Sequence, residues 1–174
     1  MIIKSIKFAL LSTLIFGASA QAADRVTGEM HATRSEVIAP HAMAATSQPL
    51  ATQVALDIMK NGGNAIDAAI GANAALGLME PTGSGIGGDL YAILWHEKTQ
   101  RLYGLNASGR SPKSLTYDKL QEELTKLGRE DLPPYGMLPI SVPGAIGGLF
   151  ELHSKVGQMP MDKILQTAID YAEN

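Results

Sequence analysis

A run of small apolar residues limits the possible folds of this chain more than any other feature. Residues 65–79 (AIDAAIGANAALGLM) consist mainly of alanine, glycine, leucine and isoleucine, and Asn64 precedes them as a predicted helix N-cap. A helix that is apolar on all sides is buried, and its small side chains let neighbouring elements approach closely. The run is shorter than the ~20 apolar residues of a membrane span and contains Asp67 and Asn73. The sequence therefore predicts a buried helix within a globular domain.

An amphipathic pattern predicts another helix directly before this one. Ser47 is its predicted N-cap, and Pro49 lies in its first turn, where a missing backbone N–H costs nothing. Glycines within residues 61–63 end it, because glycine adopts the left-handed conformation that closes a helix. The predicted apolar face comprises Leu50, Val54, Ala55, Ile58 and Met59.

The second half of the chain contains a predicted β-hairpin followed by three helices. Residues 90–96 and 101–106 are rich in aromatic and branched side chains, and a polar turn separates them. Helices are predicted at residues 116–127, 144–156 and 161–173. Helices before and after a hairpin predict an α+β domain built in layers. Two strands do not form a sheet that can cover itself, so we expect this chain to be the first part of a longer, incomplete domain.

The N-terminus has the pattern of a cleavable secretory signal peptide. Lys4 and Lys7 precede an uncharged apolar run (FALLSTLIFG), and an A-x-A site ends at Ala22. The apolar run is too short to span a bilayer, and polar sequence follows at once. We therefore expect residues 1–22 to be removed and residues 23–174 to be exported, with no membrane anchor after cleavage.

The composition argues against several classes of function. The net charge is −3 for 174 residues, whereas a nucleic-acid partner requires a basic surface. The absence of cysteine excludes disulfides, a thiol nucleophile and thiolate metal sites. The four histidines share no ligand spacing, so no metal site is predicted. Glu122-Glu123 and Glu130-Asp131 lie on polar stretches typical of a solvated surface, which does not indicate a catalytic carboxylate pair.

A glycine-rich segment at residues 82–89 (TGSGIGGD) formally contains the dinucleotide-binding pattern G-x-G-x-x-G. That pattern binds a pyrophosphate only where it follows a strand and opens a helix, and here the predicted order is reversed. Two interpretations remain. The segment is a tight backbone crossing that excludes side chains, or its free N–H groups line an anion or oxyanion position.

Arg110 is the one residue whose surroundings suggest substrate binding. It follows the second predicted strand within Ser108-Gly109-Arg110-Ser111-Pro112, where a guanidinium can present two parallel N–H groups to a carboxylate. The alternative is a solvated arginine on a surface turn. No serine lies in a G-x-S-x-G motif and no Ser/His/Asp set can be assembled, so no catalytic residue is predicted in this chain.

Several motifs together resemble the γ-glutamyltranspeptidase family. Residues 44–51 (AATSQPLA) lead into residues 60–69 (KNGGNAIDAA), and the string GGNAxDAA is highly specific. Glu80-Pro81 with the glycine-rich segment continues the resemblance, as do the SVPG at residues 141–144 and the GQMP at residues 157–160. The resemblance covers roughly residues 38–174.

This resemblance implies a fold and an activity. Members are N-terminal-nucleophile hydrolases with an αββα sandwich, and a precursor cleaves itself into a large and a small subunit. The new N-terminal threonine of the small subunit attacks the γ-glutamyl amide of glutathione, with its own α-amine as base and without a cofactor. The γ-glutamyl group then passes to water or to an amino acid or peptide. This chain resembles the front of the large subunit, inactive alone, and the leader implies a periplasmic enzyme.

Two departures from the family pattern leave the acyl group open. When this stretch is aligned with the family pattern at Pro112, Ser108 takes the position of the family's carboxylate-binding arginine, and Arg110 follows two residues later. Asp89 follows Gly88 where the family often continues with further glycine and an aromatic residue. Both departures resemble the subgroup that includes cephalosporin acylases. The alternatives are therefore an acylase of the same fold acting on glutaryl or other acyl amides, and an inactive truncated remnant.

Overall fold

The elements of the chain follow the predicted order of helices and strands. The computed structural model describes residues 36–174, so the predicted signal peptide lies outside the described residues. Within them the elements are α1 Pro49–Lys60, α2 Ala65–Met79, β1 Leu90–His96, β2 Arg101–Ala107, α3 Tyr117–Lys126, α4 Ala145–Val156 and α5 Met161–Glu173. The α+β prediction is confirmed, and most boundaries agree with the predicted ones, while the others differ by a single residue.

Helix α2 lies at the centre of the hydrophobic core and contacts α1, α4 and α5. Ala68, Ala72 and Ala75 are buried together with Ile70, and Val54 of α1 and Ile164 of α5 pack in the same core. Close packing requires the small residues. A Cβ placed on Gly71 would lie 2.2 Å from Ile58 Cδ1, which confirms that this helix serves packing.

The start of α1 differs from the prediction. Gln48, and not Ser47, is the N-cap: its side-chain oxygen accepts hydrogen bonds from the backbone N–H groups of Leu50 and Ala51. This places Pro49 at the first helical position, where its fixed φ suits the helix. The Ser47 hydroxyl instead donates to the Glu80 carboxylate at the end of α2. The apolar face is also shifted, because Ala51 is buried and Leu50 is exposed.

Asp67 joins the start of α2 to the connection between α4 and α5. Asn64 and Asp67 form a capping box, in which each side chain accepts from the other's backbone N–H. Asp67 is fully buried, and its carboxylate also accepts from Gln158 N at 3.1 Å and Met159 N at 3.1 Å. The Asn64 side-chain amide donates to Val156 O at 2.6 Å. One helix terminus therefore fixes a segment about ninety residues further along the chain.

The two strands form an antiparallel hairpin, with Leu90 opposite Ala107 and His96 opposite Arg101. A short 3₁₀ turn, Glu97–Thr99, connects them, and Gln100 has a positive φ of 52°. One face of the hairpin packs against α4. The outer face exposes Tyr91, Ile93, Trp95 and Leu102. Within residues 36–174 nothing covers this apolar face, in agreement with the expectation that two strands do not make a self-covering sheet.

The acidic residues of α3 are solvated, as predicted. Lys126 bridges Glu122 at 2.8 Å and Glu123 at 2.9 Å. The hydrogen bond from Lys126 lowers the pKa of the Glu122 carboxyl, and the bond to Glu122 raises the pKa of Lys126. Such exposed pairs contribute little to stability. In the described part of the chain, no helix has the length and apolar character needed to cross a membrane.

Candidate functional site

The glycine-rich segment connects α2 to β1 and lines an open cleft. Gly83 N and Ser84 N both donate to Glu80 O at 3.0 Å, which turns the chain at the end of α2. The cleft has a volume of about 560 Å³, and Asn73, Tyr91 and the segment itself contribute to its walls. A helix therefore precedes the glycines and a strand follows them, the reverse of a dinucleotide-binding loop.

The end of this segment meets the start of α4, but the segment's own glycines leave room for side chains. A Cβ on Gly83, Gly85 or Gly87 would meet nothing within 4 Å, so the predicted interpretation that these glycines exclude side chains is wrong. Gly88 O accepts from Gly144 N at 3.1 Å and from Ala145 N at 3.0 Å, at the start of α4. A Cβ on Gly144 would lie 2.1 Å from Ala107 O. The close crossing that excludes a side chain therefore involves Gly144 and not the glycines of the segment. In the described residues, the N–H groups of residues 85–87 have no protein acceptor, so the predicted anion position remains a prediction.

Asp89 connects three separate segments next to this crossing. Its Oδ1 accepts from Gly109 N at 3.0 Å and from Ser141 Oγ at 3.2 Å, and its Oδ2 lies 3.5 Å from Ser108 Oγ. The carboxylate thus joins the start of β1, the end of β2 and the loop before α4. The sequence marked Asp89 only as a departure from the family pattern. The only sequence signal for this role of Asp89 was an acidic residue directly before a strand, together with serines in two later loops.

Arg110 lies on the surface beside these contacts. Its carbonyl oxygen accepts from Val142 N at 2.9 Å, so its backbone is fixed while its side chain is exposed. Within residues 36–174 its guanidinium forms no salt bridge, and it is not among the residues that line the glycine-segment cleft. Its predicted role in carboxylate binding therefore stays a prediction.

No Ser/His/Asp set is assembled around Asp89 in the described residues. Ser141 Oγ donates to the Asp89 carboxylate, which also accepts from Gly109 N–H, and no histidine bonds to either group in residues 36–174. Two histidines bond within the fold instead: His96 Nδ1 lies 2.9 Å from Thr99 Oγ1, and His153 Nε2 lies 2.7 Å from Met159 O. In this part of the chain the geometry supports binding and positioning, with no catalytic group identified.

The chain matches a known protein family and several of its members. The family model described as Gamma-glutamyltranspeptidase matches residues 51–174. The glutathione hydrolase proenzyme of Bacillus subtilis strain 168 is 34% identical over 75% of this chain and 22% of its own length. The glutathione hydrolase-like YwrD proenzyme of the same strain is 32% identical over 82% of this chain and 25% of its own length.

Solved structures show the same similarity. The cephalosporin acylase of Bacillus halodurans is 47% identical with a TM-score of 0.72, over 87% of this chain and 27% of that one. The γ-glutamyltranspeptidase of Helicobacter pylori is 27% identical with a TM-score of 0.70, over 79% of this chain and 39% of that one. The chain spans about a quarter of the length of the curated relatives that it matches. By sequence and by fold, this chain belongs to the γ-glutamyltranspeptidase family.

Proposed function

We propose that this chain is the front of the large subunit of a self-processing enzyme that cleaves γ-glutamyl amides such as glutathione. The family match over residues 51–174 carries this proposal, and the relatives named as proenzymes support processing into subunits. The uncovered apolar face of the hairpin, formed by Tyr91, Ile93, Trp95 and Leu102, supports it further. Such a face requires a partner layer, which the remainder of the enzyme would supply.

In the proposed reaction, the nucleophile lies outside this chain. The hydroxyl oxygen of an N-terminal threonine attacks the amide carbonyl carbon, and the threonine α-amine takes the hydroxyl proton and passes it to the leaving amine. Water or an acceptor amine then attacks the resulting ester and releases the acyl group, which regenerates the threonine. This chain contributes the wall around the glycine-rich segment and the surface that carries Arg110.

A second candidate function is an acylase of the same fold that acts on glutaryl or other acyl amides. The 47% identity with the cephalosporin acylase of Bacillus halodurans favours it specifically. The purified full-length gene product distinguishes the two when it is assayed with γ-glutamyl and glutaryl p-nitroanilides in parallel. A γ-glutamyl preference of tenfold or more in kcat/KM, about 1.4 kcal/mol, supports the leading proposal, and the reverse preference supports the acylase. A processed protein that hydrolyses neither amide would support an inactive remnant.

We also propose that the protein is exported to the periplasm after cleavage behind Ala22. The charge and apolar pattern of residues 1–22 supports this proposal. N-terminal sequencing of protein from the periplasmic fraction should then begin at Ala23. Recovery of the uncleaved chain from the cytoplasm would contradict it.

Arg110→Ala should raise KM for acidic acyl amides about tenfold and leave kcat within about twofold. A charge-assisted contact to a carboxylate contributes roughly 1.5–3 kcal/mol, and the acyl carboxylate is bound equally in ground and transition states. Steady-state kinetics with glutaryl and neutral pentanoyl p-nitroanilides measure this effect.

The matched control is Arg129→Ala, because Arg129 is an exposed arginine that pairs with Asp131 away from the glycine-rich segment. It should leave both KM values unchanged. An Arg110→Ala variant whose KM for the glutaryl amide equals that of the wild type would remove Arg110 from the binding site.

A further inference from the structure

The segment that carries Arg110 has no regular secondary structure of its own. Strand β2 ends at Ala107 and α3 begins at Tyr117, so the path of Arg110 depends on contacts with other segments. Two contacts fix it from opposite sides. The first is the bond from Gly109 N to Asp89 Oδ1, and the second is the bond from Val142 N to Arg110 O. The first bond holds the Ser108–Gly109 peptide group and the second holds the peptide group that follows Arg110, which together restrict the backbone conformations of the segment.

The Asp89 carboxylate takes part in the fixation from both sides. Besides Gly109 N–H, it accepts from Ser141 Oγ at 3.2 Å, the residue next to Val142. Ser108 Oγ, at 3.5 Å from Oδ2, adds a weaker contact. The Asp89 side chain therefore bonds both to Gly109, which precedes Arg110, and to Ser141, which precedes Val142. Bonds to an ionised acceptor are roughly twice as strong as neutral ones, which makes a carboxylate well suited to this position.

The charge of Asp89 has no basic partner in the described part of the chain. Within residues 36–174 it forms no salt bridge, so its donors are one backbone N–H and the hydroxyl groups. The Arg110 guanidinium is likewise without a salt bridge there, which leaves it available for an external carboxylate. Asp89 thus orders the segment without neutralising its arginine.

We propose that Asp89 is a positioning residue that holds Arg110 for recognition of acyl groups bearing a carboxylate, an inference that rests on the proposed amide-cleaving function. Asp89 bonds to the backbone of Gly109 and to the hydroxyls of Ser108 and Ser141, and it acts on the substrate only through Arg110. Specificity for acidic over neutral acyl groups then depends on Asp89 as well as on Arg110.

The experiment uses three variants of the full-length processed enzyme. Two are the single variants Asp89→Ala and Asp89→Asn, and the third combines Asp89→Ala with Arg110→Ala. Asp89→Ala should raise KM for glutaryl p-nitroanilide about five- to tenfold, the loss expected for one or two hydrogen bonds, with kcat and the pentanoyl KM unchanged. Asp89→Asn should recover part of the loss, because its amide oxygen can still accept from Gly109 N–H. In the Arg110→Ala background, Asp89→Ala should add nothing.

Hydrogen exchange provides a readout that does not depend on activity. The peptide containing Gly109 should exchange about five- to tenfold faster in Asp89→Ala, while the α1 and α2 peptides remain unchanged. The control Asp131→Ala, an exposed aspartate in a different loop, should alter neither exchange nor KM.

The outcomes separate this inference from the function on which it rests. An active enzyme in which Asp89→Ala leaves the Gly109 exchange and the glutaryl KM unchanged would overturn the positioning role alone. Equal losses for glutaryl and pentanoyl amides, or a loss that adds to that of Arg110→Ala, would also overturn it. A processed wild type that hydrolyses neither amide would overturn the proposed function and the recognition role, whereas exchange would still report the Asp89 anchor.

Discussion

Gly109→Ala should separate the Arg110 segment from the loop before α4 and destabilise the protein by about 3 kcal/mol or more. The added Cβ would lie 1.6 Å from Val142 O and 2.6 Å from Val142 C. Both are backbone atoms, so no side-chain rotation can relieve the overlap. The chain must move apart, which removes the bond from Val142 N to Arg110 O. Urea denaturation of the purified variant measures the loss in the free energy of unfolding.

Gly104→Ala is the matched control for this substitution. Gly104 lies in β2, and a Cβ placed on it meets nothing within 4 Å. Its free energy of unfolding should stay equal to that of the wild type or rise slightly, because alanine has fewer unfolded conformations than glycine. If Gly109→Ala and Gly104→Ala unfold at the same urea concentration, the close crossing described for this part of the chain is wrong.

Asp67→Ala should destabilise the protein by about 3–5 kcal/mol, comparable to the largest effects of single substitutions. The substitution leaves three backbone donors without an acceptor, Asn64 N, Gln158 N and Met159 N, around a side chain that is fully buried. Loss of these bonds also releases the connection between α4 and α5 from the start of α2. Thermal denaturation monitored by circular dichroism measures the effect as a lower Tm.

The exposed Asp57 of α1 provides the control for this experiment. Asp57 accepts from the Gln53 side chain and pairs with Lys60, and both contacts lie at the surface. Asp57→Ala should therefore leave Tm nearly unchanged. Equal losses for Asp57→Ala and Asp67→Ala would show that the buried carboxylate does not hold the α4–α5 connection.

Local patterns in the sequence were sufficient to predict the elements of the fold. The small-residue run of α2, the Asn64 N-cap and the Gly62 turn each depend on neighbours within a few residues, and all three are present. The predicted N-cap of α1 was wrong by one residue, because Ser47 and Gln48 both have side-chain oxygens that can accept a hydrogen bond. Only the path of the chain decides that Ser47 faces Glu80.

The candidate site was less predictable because its contacts are distant in sequence. Asp89 meets Gly109 and Ser141, which follow it by 20 and 52 residues. Asp67 likewise meets Gln158 after 91 residues. No periodicity relates such pairs, so the sequence made Arg110 a candidate by its chemistry but did not identify the carboxylate that bonds to its segment.

The intact mass of the full-length protein, measured before and after mixing with a γ-glutamyl amide, tests whether this chain belongs to a self-processing enzyme. We expect two subunits, with residues 23–174 at the front of the large one, and a transient γ-glutamyl adduct on the N-terminal threonine of the small one. We also expect that peptides from residues 23–174 remain unmodified. A protein that stays in one piece, or an adduct within residues 23–174, would contradict the assignment of this chain as the non-nucleophilic front of a self-processing amide hydrolase.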